Sequence, residues 1–82
     1  MRIMTILHQE HVEADIIIIL SGCERKMKAV TEVHKIIFQK YDIKSNKTDQ
    51  QLILKTIVRM SARGQLSIEK IENITYLKLS DE

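Results

Sequence analysis

The clearest pattern in the chain lies between residues 48 and 79, where apolar positions first follow a helical period and then alternate. At about 100° per residue, Ile53, Leu54, Ile57, Val58 and Met60 fall on one arc of a helix. Gln51, Lys55, Thr56, Arg59 and Arg63 fall on the opposite arc, with Leu52 as the one apolar intruder. Thr48-x-x-Gln51 has the form of a capping box, and Gly64 stands where helices end in a left-handed residue. The spacing therefore predicts a helix over about 48–63. Beyond it the period shortens to two. With Glu72–Asn73 as a two-residue turn, Leu66 pairs with Leu79, Ile68 with Leu77 and Lys70 with Thr75. On the other face Ser67 pairs with Lys78, Glu69 with Tyr76 and Ile71 with Ile74. One register thus makes one face apolar, which is how strand register is specified, and a hairpin over about 65–79 follows.

Upstream, Val12, Ile16, Ile19 and Leu20 recur at helical spacing and predict a first helix over about 5–21. It begins at Thr5 or Gln9 and is stopped by Ser21–Gly22. The stretch Asp15–Leu20 contains four consecutive isoleucines, which also suit a buried strand. The helix-favouring Gln9–Ala14 segment and the lack of an intervening turn favour the helix. Its apolar surface is wider than one stripe, so Val12, Ile16, Ile17, Ile19 and Leu20 are a candidate dimer interface. Val30, Val33, Ile37 and Tyr41, extended by Ile36 and Phe38, predict a second helix over about 27–41. Ser21-x-x-Glu24 is an alternative, earlier cap for it. The connection Asp42–Lys47 is polar apart from Ile43, whose side chain is placed to plug the gap between the second and third helices.

The order helix, helix, turn, helix, hairpin resembles the winged helix-turn-helix superfamily over nearly the whole chain. The residues that carry the likeness are Leu54-x-x-Ile57-Val58-x-Met60-x-x-Arg63-Gly64-x-Leu66 and the strand Tyr76-Leu77-Lys78-Leu79. The same cadence looks like that of linker-histone globular domains. The resemblance implies an α+β fold: a three-helix winged helix-turn-helix with a C-terminal β-hairpin wing, filling 1–82 as a single domain. It also implies duplex DNA binding, with the third helix in the major groove and a role in transcription regulation. On that reading Gln50, Gln51, Lys55, Thr56, Arg59 and Arg63 meet the DNA, Gln suiting adenine and Arg suiting guanine. Lys40, Lys44 and Lys47 flank the turn and suit phosphate contacts. The wing departs from the usual pattern. Its tip, Ile71-Glu72-Asn73-Ile74, is acidic and apolar, which suits a protein partner better than phosphate, although Lys70 and Lys78 stand nearby. A winged-helix protein-interaction module, as a subunit or small inhibitor of a larger assembly, is the alternative reading.

Charge adds to this picture through its distribution, since the net value is only +2. Residues 1–23 carry one Arg against three acids, residues 24–63 carry ten Lys or Arg against four, and residues 64–82 carry two Lys against four. The basic excess coincides with the helix-turn-helix, as a nucleic-acid face requires. One Phe and two Tyr offer few stacking platforms, so RNA is a weaker reading. A hydrophobic fraction of 44% with 29% charged residues describes a globular chain, and no apolar run approaches the length of a membrane span. With Cys23 as the sole cysteine and no secretory signal pattern, a cytoplasmic, DNA-associated protein is expected.

Other chemistry has little support. His8-x-x-His11, Cys23 and His34 are of zinc-binding types, but no Cys-x-x-Cys accompanies them and their spacings match no recurrent site. No metal and no cofactor is expected. P-loop, GxGxxG, HExxH and GxSxG motifs are all missing, so the chain is not expected to be an enzyme.

Overall fold

The isoleucine run is helical. In the computed structural model, which describes residues 7–80, α1 spans Gln9–Ser21. Val12, Ile16 and Leu20, spaced four residues apart, are fully buried, whereas Ile18 is exposed. Ile17 and Ile19 pack partly buried against the same core. The candidate dimer interface on this helix is therefore corrected: its five residues turn inward to the protein's own core, which takes up the surplus apolar width. A start at Thr5 lies outside the described residues, and Gln9 is the first helical position.

A second correction concerns residues 27–29. They were expected to open the second helix, but Met27–Ala29 form strand β1, and α2 runs from Val30 to Lys40. The backbone reaches β1 through a tight turn, Glu24–Lys26, in which Arg25 and Lys26 take left-handed φ values of 62° and 53°. Ser21 closes α1 and does not cap α2. α3 covers Lys47–Ala62, β2 Leu66–Ile71 and β3 Ile74–Leu79. The strands form one antiparallel sheet in the order β1-β3-β2. The architecture is α+β, three helices with a three-stranded antiparallel sheet.

The hairpin register agrees at all six pairs, from Leu66–Leu79 to Ile71–Ile74. Glu72 and Asn73 both have positive φ, 50° and 68°, the backbone of the tight turn whose twist matches that of the strands it joins. Leu66 and Leu77 bury the inner face against α1 and α3, while Ile68, Ile71 and Ile74 near the tip remain about half exposed.

α2 and α3 stop in the same way. Gly64, with φ +79°, follows α3: its N–H bonds Ser61 O, and the Gln65 N–H bonds Met60 O. After α2, Asp42 takes φ 52°, its N–H bonds Gln39 O and the Ile43 N–H bonds Phe38 O. Both are Schellman closures, satisfying carbonyls that a helix end leaves open. The second one turns Ile43 back so that it packs against the core, in the plugging role its apolar side chain suggested.

Val33, Ile37 and Phe38 of α2 and Ile53, Ile57 and Met60 of α3 complete the core. The facing of α3 differs from the expected arc. Leu54 is 46% and Val58 61% exposed, while Thr56 is fully buried and Leu52 packs against the core. The helix is rolled by about half a residue's angular spacing from the average of its apolar positions. Thr56 tolerates burial because its hydroxyl donates to Leu52 O at 2.7 Å.

Candidate nucleic-acid interface

α3 begins at a cap built by Asn46, not at Thr48. The Asn46 side-chain oxygen accepts from the Asp49 N–H at 2.8 Å, and its amide donates to the Asp49 carboxylate at 2.8 Å and to Lys44 O at 3.0 Å. Asp49, the acid in the first turn, is thereby folded onto the cap. The capping residues stand two positions earlier than Thr48-x-x-Gln51, which adds Lys47 to the helix as its first residue. Lys44 and Lys47 are exposed at this end.

Along the solvent face, Gln51, Lys55 and Arg59 succeed one another at one-turn intervals, all exposed. Lys55 and Arg59 have no ion-pair partner among the described residues. Four other expected contact residues are placed differently. Thr56 is inside the core and has no access to a partner. Gln50 is half-buried, and its amide donates to Ser45 Oγ at 2.7 Å. The Arg63 guanidinium donates to Glu13 of α1 at 3.1 Å, and Lys40 Nζ lies 2.5 Å from a carboxylate oxygen of Asp15. These two cations join α1 to the ends of α3 and α2, which counters their assignment to DNA.

Asp15 is itself a finding, because along the sequence it reads as one more surface charge. It is 4% exposed and accepts from both Lys40 Nζ and the Tyr41 hydroxyl. The hydrogen bond to Asp15 raises the pKa of Lys40, and the same partner raises that of Tyr41. A carboxylate so deep in a small core is compatible with folding because both partners reach it. The signal that could have identified it is its place four residues before Ile19 and one before Ile16, within the buried stripe of α1.

Among the described residues no three His, Cys, Asp or Glu side chains converge as a metal site. His8 and His11 meet edge to face at 5.5 Å, and Cys23 Sγ lies 3.1 Å from Ile19 O, to which it donates. His34 stacks on Phe38 with ring centres 6.3 Å apart. Burial lowers the His34 pKa, opposed by backbone contacts to Gln50 and Val30, and its Nε2 has no hydrogen-bond partner.

The hairpin turns its polar groups apart. Lys70 and Lys78 sit on opposite faces of the hairpin, and Glu72 occupies the tip between Ile71 and Ile74. No described helix is long and apolar enough to cross a membrane. Comparison with family models, with curated proteins and with solved structures returns no match.

Proposed function

We propose that this chain is a winged helix-turn-helix protein that binds duplex DNA through the solvent face of α3 and acts in transcription regulation. One observation carries the reading: Gln51, Lys55 and Arg59 stand in a row, exposed, with both cations free of ion pairs among the described residues. The exposed face of α3 and the hairpin β2–β3 that follows it support the reading. An α-helix fits the major groove, where Arg suits guanine O6 and N7, and Gln suits adenine N6 and N7. Lys44 and Lys47, at the start of α3, suit phosphates flanking the groove, which fixes register without reading sequence. The acidic wing tip would be repelled by phosphate, so binding rests on α3 and its N-terminal lysines.

Fluorescence anisotropy of a labelled generic duplex, titrated with protein at several salt concentrations, tests the proposal. Each phosphate neutralised contributes about −0.9 to the log–log salt slope, so four cations at the interface give a slope of about −3 to −4. Absence of binding at low salt overturns it.

A further inference from the structure

The basic row accounts for only part of the exposed α3 surface. Leu54 and Val58 lie one turn apart, 46% and 61% exposed, and Ala62 continues their line for a further turn. On one side Leu54 borders a hollow of about 580 Å³ between α2 and α3, whose apolar floor is Phe38 and Ile43. On the other side it borders a second hollow, of about 540 Å³, shared with Val58 and Ala62. Leu54 lines both and stands between them, and the ridge from Leu54 to Ala62 is about 12 Å long. The apolar group that duplex DNA offers in its major groove is the thymine methyl, which is too small to fill a hollow of this kind.

Charge identifies the occupant. Lys35 lines the first hollow, and Lys55 and Arg59 line the second; none has an ion-pair partner among the described residues. Among the described residues, Asp42 is the single acid lining either hollow. An apolar ridge at one-turn spacing with unpaired cations beside it is complementary to an amphipathic helix carrying apolar residues at i and i+4 and carboxylates alongside. A second copy is a poor source of such a helix: Glu13 and Asp15 of α1 are committed to Arg63 and Lys40, and Asp49 of α3 to the Asn46 cap, which leaves α1 with Glu10 and α2 with Glu32 as single exposed acids against three cations.

We infer that the exposed apolar ridge of α3, with the hollows on either side of it, is a docking site for an acidic amphipathic helix of another protein. The docked helix covers Lys55 and Arg59, so where DNA is also bound, the two occupants exclude each other. Docking itself does not depend on the DNA reading, and its test contains no DNA.

A phage-displayed library of helix-favouring peptides about 16 residues long, roughly 24 Å as a helix, is selected on the immobilised full chain. Enriched sequences are then synthesised, labelled and titrated by anisotropy. The expected result is enrichment of Asp and Glu beside apolar residues spaced four apart. Val58→Asp, and separately Lys55→Glu with Arg59→Glu, should each weaken those peptides by about tenfold or more. Both variants alter exposed positions, and circular dichroism should show an unchanged fold. No enrichment, enrichment without an acidic excess, or undiminished binding to Val58→Asp overturns the inference. A dimer of the unliganded chain that Val58→Asp dissociates in sedimentation assigns the face to a second copy and also overturns it.

Discussion

Arg59 and Arg63 are one helical turn apart and are used in opposite ways. Arg63 is clamped to Glu13 and joins α3 to α1, whereas Arg59 is exposed and free of any ion pair among the described residues. Lys40 and Lys44 repeat the contrast, one held by buried Asp15 and the other exposed in the turn. Counted along the chain, all four belong to one basic segment facing an acidic N-terminal segment. In the fold, part of the N-terminal acid and part of the central base neutralise each other internally. Around α3, what is left for a partner is narrower than the count: Lys44, Lys47, Lys55 and Arg59, with Lys35 across the hollow from Leu54. Surface potential follows the charges that folding leaves uncommitted.

The same contrast runs between the two faces of α3, where replacement should separate structure from function. Met60→Ala, next to Arg59 but fully buried, should destabilise the protein by about 2–5 kcal/mol in urea denaturation. Arg59→Ala should stay within about 0.5 kcal/mol of the parent. Equal costs for the two would mean that α3 is rolled differently. Asp15→Ala removes the acceptor shared by Lys40 and Tyr41 and should cost about 1–3 kcal/mol, while Lys44→Ala costs nothing measurable. The two helix ends provide a finer pair. Gly64→Ala should cost about 1 kcal/mol through backbone conformation alone, because an added Cβ meets nothing within 4 Å. Asp42→Gly, in the equivalent position after α2, should stabilise by about 0.5 kcal/mol.

The smallest effect is a pH dependence. His34 has a folded pKa below its unfolded value of about 6.5, so the unfolded chain binds the proton more readily. Stability from this group is complete above the unfolded value and declines as pH falls from there through the lowered folded value. Denaturation midpoints should therefore fall more between pH 7 and pH 5 for the parent than for His34→Gln. An equal fall in both would show that His34 does not contribute.

The contrast between paired and free cations also marks the limit of what could be read in advance. Residues 66–79 were legible to the last pair because a period of two, a two-residue turn and one apolar face admit a single register. Gly64 was legible as a local signal of helix termination. β1 was not, since three residues carry no period and its partner β3 lies some fifty positions later. The roll of α3 departs from its apolar positions because Thr56 can bury its hydroxyl on Leu52 O, which lets a polar residue enter the core and leaves Leu54 and Val58 at the surface. The pairs Asp15–Lys40 and Glu13–Arg63 join residues far apart in the chain, and no spacing rule anticipates them. Of the nine expected DNA contacts, Gln51, Lys44, Lys47, Lys55 and Arg59 are exposed with no ion-pair commitment among the described residues. The other four are buried or bonded internally.

The most direct test of the account compares two double variants in one duplex titration across salt. Lys55→Ala with Arg59→Ala removes free cations of α3, and Lys40→Ala with Arg63→Ala removes cations held by α1. The first pair should lower the magnitude of the log–log slope by about 1.8 while the second leaves it unchanged. An unchanged slope in the first pair, or an equal loss in both, would contradict the assignment of the solvent face of α3 as the DNA-binding surface.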